Sequence, residues 1–166
     1  GKGATNGHGG GGAAARAERI DVLVKVVRLL AHLAISPEVG AKLAAAPQME
    51  ALLRLLAHLG GRNAADEEEL LLNCTSALTN LSYYDLEDNR LLRPPHKLVS
   101  CLVPVLMHPN PEAATEAARA YGNLSRLPEA RQLMCAARVH EATVLLLDHS
   151  YPPLLEAACG VLINLA

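Results

Sequence analysis

At 166 residues with a formal net charge of −2, the chain has the size of one domain with length to bury a core, and its charge balance argues against a dedicated nucleic-acid binder. Hydrophobic residues make up 51% and aromatics 2%, with neither Trp nor Phe, so the core is built from Leu, Ala and Val and the prior is an all-α fold. No apolar run approaches the roughly 18–20 residues of a membrane span, and no membrane partner is expected.

Residues 1–15 are rich in Gly and Ala without periodicity and read as a flexible linker into a helix that begins near Arg16. They hold neither a start Met nor the apolar stretch of a signal peptide. Cys74, Cys101, Cys135 and Cys159 are widely spaced among apolar neighbours and read as reduced core thiols, which suits a reducing, cytoplasmic compartment. From Ile20 onward the apolar spacing is helical, broken at Pro37, Pro47, Gly60-Gly61, Pro94-Pro95, Pro109 with Pro111, Pro128 and Pro152-Pro153.

Four segments share one pattern: Leu-Leu-Ala-His-Leu-Ala at 29–34, Ala-Leu-Thr-Asn-Leu-Ser at 77–82, Ala-Tyr-Gly-Asn-Leu-Ser at 120–125 and Val-Leu-Ile-Asn-Leu-Ala at 161–166. The anchors His32, Asn80, Asn123 and Asn164 are therefore 48, 43 and 41 residues apart, the period of helical repeat proteins, and the first interval is lengthened by an insertion near 60–66. Each interval predicts a short helix (37–45; about 86–92; 128–137), a longer apolar one (49–59; 97–107; 139–148), and a third that carries the next anchor (67–83; 112–126; 154–166). Ser36-Pro37-Glu38 and Leu127-Pro128-Glu129 suit helix N-termini just after an anchor.

Three helices per repeat, the first of them short, resembles the armadillo family over about 20–166. The resemblance implies a right-handed α-solenoid: a partial repeat at 16–35, then repeats at about 36–83, 84–126 and 127–166, as part of a longer solenoid. In a solenoid each repeat buries its faces against its neighbours, which makes Leu30, Leu33, Leu78, Leu81, Leu124 and Leu165 core. The anchor at 161–166 lacks a polar outer face, so another segment or another protein is expected to cover it.

Asn80, Asn123 and Asn164 stand out because Asn costs a helix about half a kcal/mol or more relative to Ala. In armadillo proteins such as the nuclear-import receptors, the third helices line a concave groove where Asn holds an extended peptide by its backbone. The other reading is that each Asn braces its own inter-repeat turn, and the sequence leaves both open. Those receptors place Trp four residues before the Asn, whereas this chain has Arg28, Ser76, Arg119 and Gly160 there, which argues against binding of nuclear-localisation signals. Arg28 and Arg119 are expected to make the groove basic and suited to an acidic or phosphorylated partner. Tyr83, Arg126, Ser76 and Arg119 lie near the Asn anchors at helical spacing and are the expected specificity residues, with His32 in the anchor position of the first segment.

Other chemistry finds little support. The acidic run Asp66-Glu67-Glu68-Glu69 opens a helix, where carboxylates complement the dipole. No His or Cys spacing fits a metal site, the Cys135 and His140 pair lacks a third catalytic group, and the glycosylation-like triplets at Asn73, Asn80 and Asn123 fall in predicted helices. The expected function is a non-catalytic interaction scaffold without cofactor, metal or small-molecule substrate, binding an extended segment of another protein in the groove. The alternative is a constitutive subunit of a large assembly that packs by its convex face and open ends. The stretch Leu78-Thr79-Asn80-Leu81-Ser82-Tyr83-Tyr84 resembles armadillo proteins of cilia and flagella, which implies an axonemal setting.

Overall fold

The computed structural model describes residues 10–62 and 64–166; residues 1–9 of the expected linker lie outside them. Among the described residues there are nine α-helices and no strand. They are α1 (Gly10–Leu33), α2 (Pro37–Ala45), α3 (Met49–Gly60), α4 (Glu68–Ser82), α5 (His96–Leu106), α6 (Pro111–Leu124), α7 (Pro128–Ala136), α8 (Val139–Leu145) and α9 (Pro152–Leu165). A 3-10 turn at Leu146–Asp148 extends α8.

Local chemistry sets four of the nine helix starts among the described residues. Pro occupies the first helical position of α2, α6, α7 and α9, where its missing N–H costs nothing and its φ is already helical. Ahead of α6 the side chain of Asn110 accepts from the N–H of Glu112 at 2.8 Å and of Ala113 at 3.2 Å. Its Nδ2 donates to Glu68 Oε1 at 2.5 Å, which fixes the start of α6 against the start of α4.

Two expected boundaries are corrected. Residues 10–15, read as linker, belong to α1: Ala13, Ala14 and Ala15 are the best helix formers, and the next turn is held by Arg16, which pairs with Asp66 and with Glu67. The short helix expected at about 86–92 is absent. The Asn89 side chain, fully buried, donates to the carbonyls of Leu81 at 3.0 Å and Tyr84 at 2.7 Å and accepts from Leu91 N at 2.9 Å. It supplies bonds that a helix would otherwise make, and Pro94-Pro95 disfavours helical backbone after it. The resulting loop docks on α2, where Arg90 N donates to Ala44 O at 3.0 Å, and it buries Leu91 and Leu92.

The third helices pack side by side in the order α1, α4, α6, α9, and α3, α5 and α8 form a second row behind them. Between the rows lie Leu56, Leu78, Leu81, Leu102, Leu106 and Leu124, all fully buried or nearly so. Expected core positions on the outer helices differ: Leu33 is exposed, and Leu30 and Leu165 are half-buried, because among the described residues no second-row helix backs α1 as α3 backs α4, and α9 has a third-helix neighbour on one side only. Gly40 is buried where a Cβ would collide with the Tyr84 ring and with the Ala34 carbonyl oxygen. Its bare Cα lets the Tyr84 hydroxyl donate to Ala34 O at 2.5 Å and latch the loop to the end of α1.

Leu124→Ala is expected to cost about 2–5 kcal/mol of unfolding free energy, since it opens a cavity at a fully buried site. Leu33→Ala, on the exposed side of α1, is expected to cost under about 1 kcal/mol. Chemical denaturation of both variants checks the assignment, and equal losses would contradict it.

Candidate functional site

The three Asn anchors make one recurring contact. Asn80 Nδ2 donates to the carbonyl of Ala31 on α1 at 3.0 Å, Asn123 Nδ2 to Thr79 on α4 at 3.0 Å, and Asn164 Nδ2 to Gly122 on α6 at 3.4 Å. Each acceptor immediately precedes the anchor of the helix before, among carbonyls of the last turn that lack an intrahelical donor. The Ser two residues after the anchor joins in. Ser82 Oγ donates to Thr79 O at 2.8 Å and accepts from Asn123 Nδ2 at 3.1 Å; Ser125 Oγ donates to Gly122 O at 2.7 Å and accepts from Asn164 Nδ2 at 2.8 Å. The Asn-Leu-Ser motif is thus an inter-repeat clasp that caps one third helix from the next.

Two further features hold the row. Ala113, Ala114, Ala117, Ala118 and Ala120 of α6 are buried, and their small side chains admit neighbouring helices closely. Thr79 Oγ1 donates to the Glu116 carbonyl at 2.8 Å, across from α4 to α6. At the other end of α4 the acidic run does more than complement a dipole. Glu67 lies between Arg16 and Arg62, Glu68 accepts from Asn110, and Glu69 pairs with Arg28.

On the open side of the third helices runs a groove of about 820 Å³. Asn80, Asn123 and Asn164 line it together with Tyr83 and Arg119, five of the nine residues expected there. The Oδ1 atoms of Asn80 and Asn123 accept from no donor among the described residues, and neither is buried. The floor between the anchors is Ala118, Gly122, Ala157 and Gly160, and a Cβ on Gly122 or Gly160 would meet open space. Ile35, Pro37 and Tyr84 close the end nearest α1. There Tyr83 is 62% exposed, meets Tyr84 edge-on with ring centroids 5.8 Å apart, and carries the Arg126 guanidinium 5.2 Å from its ring centroid.

Four expected groove residues lie elsewhere. Arg126 stands behind Tyr83 and donates to its carbonyl at 2.8 Å. Ser76 is half-buried and His32 is exposed, and neither lines the groove. Arg28 is drawn to the side of the stack by Glu69. The expected basic groove is corrected accordingly, because Arg119 is paired with Glu116 at 2.8 Å and Glu156 adds a carboxylate to the lining. Glu156 and Gly160 sit eight and four residues before Asn164, so the helical period that picked out Arg119 from Asn123 also points to them.

The thiols divide. Cys74 is buried and Cys101 half-buried, and burial pushes both up from the ordinary thiol range; Cys135 and Cys159 are exposed, against the expectation of a core position for all four. Among the described residues no group of three or more His, Cys, Asp or Glu is placed to hold a metal, and no helix is long and apolar enough to cross a membrane.

No protein-family model matches the chain. It is 37% identical over 150 residues, 90% of its length, to Armadillo repeat-containing protein 2 of Mus musculus, and 36% identical over 148 residues to that of Homo sapiens. The fold matches that of a designed armadillo repeat protein with a TM-score of 0.73 at 23% identity, covering 87% of this chain and 58% of that one. The chain belongs to the armadillo-repeat family. A second engineered protein matches with a TM-score of 0.71 at 25% identity over 85% of this chain and 56% of that one. The armadillo unit described here spans 17% of the length of its mammalian relatives.

Asn123→Ala removes two clasp bonds and leaves the Thr79 carbonyl with Ser82 Oγ as its remaining side-chain donor, a loss of about 1–3 kcal/mol, against a helix-propensity gain of about half a kcal/mol. Burial and clasp together predict a melting temperature lower by about 2–8 °C. In the same native protein Cys135 and Cys159 are expected to react with a thiol reagent at least about tenfold faster than Cys74. An unshifted transition, or equal labelling of all the thiols, would contradict the placement.

Proposed function

We propose that this armadillo unit is a non-catalytic scaffold that holds an extended segment of a partner protein in the groove along α4, α6 and α9. The observation that carries the reading is the groove itself, which brings Asn80, Asn123 and Asn164 onto one open surface with a floor of Ala and Gly between them. Helix-interior Gly is unfavourable by roughly 1 kcal/mol relative to Ala, and neither Gly122 nor Gly160 is required by a neighbouring atom. A bare floor lets a bound main chain approach the helices. The anchor Oδ1 atoms then accept its N–H groups, while Nδ2 stays on the neighbouring helix. Third helices lie about 10 Å apart and an extended chain rises about 3.3 Å per residue, so successive anchors meet every second or third residue of the partner. Such contacts read main chain, and selectivity falls to Tyr83, Arg119 and Glu156.

A second reading, a constitutive subunit of a large assembly, is favoured by the exposed apolar residues Val144, Leu145 and Leu147 at the end of α8. The reducing cytoplasm, with the axoneme of cilia or flagella as its narrower form, belongs to this proposal on the resemblance of the 78–84 stretch.

The test is to fill the floor. Gly122→Trp and Gly160→Trp enter open space and are expected to leave the melting transition intact. A partner that co-purifies with the unaltered protein should be lost by at least about tenfold from both variants. Undiminished recovery would place binding on another face and favour the subunit reading.

A further inference from the structure

Ile35, Tyr83 and Arg126 each stand three residues after an anchor, in the turn that ends a third helix, and the same backbone bond sets all three. Ile35 N donates to His32 O at 3.2 Å, Tyr83 N to Asn80 O at 3.3 Å and Arg126 N to Asn123 O at 3.4 Å. What fills the space between neighbours differs. From α6 to α4 the Arg126 guanidinium lies 5.2 Å from the centre of the Tyr83 ring, and its Nη2 donates to the Tyr83 carbonyl. From α4 to α1, Tyr83 and Ile35 share the groove wall with Ala34, Pro37 and Tyr84, and their side chains stay open to water, Tyr83 62% and Ile35 66% exposed. Tyr83 keeps that exposure with α1 and α6 packed on either side of α4, so the slot belongs to the open side of the row and not to an end of it.

The slot is braced. Tyr84 at its base is latched by its hydroxyl to Ala34 O, lies against the bare Cα of Gly40 and meets Tyr83 edge-on. Arg126 holds the Tyr83 ring from the side away from the groove, which it does not line. An exposed ring held from two sides loses little freedom when a further side chain packs on it, and such preorganisation favours binding.

We propose that this slot seats one apolar side chain of the extended segment held in the groove, and so adds sequence selectivity to contacts that read main chain; the inference rests on the groove reading above. Ala34, Ile35, Pro37 and the two Tyr rings carry no charge. A Lys or Arg in the slot would meet a ring that Arg126 already holds, with like charge behind it. An Asp or Glu would lose water without gaining an ionic partner, because Arg126 gives its Nε and Nη2 to the carbonyls of Asn123 and Tyr83. An apolar side chain covers Ile35 and Tyr83 at once.

The probe is a phage-displayed library of random dodecapeptides captured on the immobilised 166-residue protein; the enriched peptide is then made with a fluorescein label and titrated by anisotropy. Selection of an apolar residue at one position is expected, and Asp at that position of the peptide should weaken binding by at least about tenfold. Ile35→Asp and Tyr83→Asp in the protein should do the same. Ile35→Ala, which widens the slot, should shift the selected residue towards larger side chains. Should Tyr83→Asp lower the melting transition, Ile35→Asp and the Asp-substituted peptide decide. Gly122→Trp separates the two readings. If it abolishes capture while the slot variants bind the peptide within about twofold of the unaltered protein, the groove stands and the slot is refuted. The slot is refuted as well if Asp, Glu, Lys or Arg is selected at the position that Ile35→Asp affects. If no peptide is enriched, or Gly122→Trp leaves capture unchanged, groove and slot fall together.

Discussion

An α-helix leaves its last carbonyls without donors of its own, and in this chain α1, α4 and α6 each have one of them satisfied by the next third helix. Asn80, Asn123 and Asn164 reach across to Ala31, Thr79 and Gly122, and Ser82 and Ser125 close the two later junctions into small networks. A hydrogen bond of this length from a side-chain amide forms only if neighbouring third helices lie side by side in one fixed stagger. The Ala face of α6 permits that approach, and the buried leucines behind it make it favourable. Shape follows from the clasp, since a row of helices held at equivalent points along their length presents equivalent residues on its open side.

That open side is the groove, and the clasp alters what the anchors offer a ligand. With Nδ2 committed to the neighbouring helix, Asn80 and Asn123 present acceptors to the groove. Arg119, the one arginine in the lining among the described residues, is already paired with Glu116. Recognition in the proposed complex then depends on main-chain donors, contact with a floor of small residues, and the exposed Tyr83 ring. It does not depend on a field of free positive charge, because Glu69 holds Arg28 and Glu116 holds Arg119.

The period of the anchors made the architecture legible. Pro37 and Pro128 mark helix starts, and eight of the helices, α2 to α9, fall close to where apolar spacing places them, because proline geometry and hydrophobic period are local properties. What the sequence hid was non-local. Asn89 reads as an ordinary polar residue in a helical stretch, yet its burial under Leu81 and Tyr84 turns 84–95 into a docked loop. The solvent-facing state of Val22, Leu29, Cys135 and Cys159 depends on which neighbours a helix has. The anchors mark the groove, and Gly160 holds on α9 the place that Arg119 holds on α6, whereas Glu156, one turn further back, carries no signal in the repeated motif.

The side-chain amide protons of Asn80 and Asn123 report on the clasp most directly. In nitrogen-labelled protein their exchange with deuterated water is predicted to be slowed by at least about tenfold relative to the exposed amide of Gln132, with Asn164 less protected because its longer bond lies at the exposed end of the row. Exchange of Asn80 and Asn123 at the rate of Gln132 in the folded protein would mean that their amides point into water, and the account of how the third helices are held would be wrong.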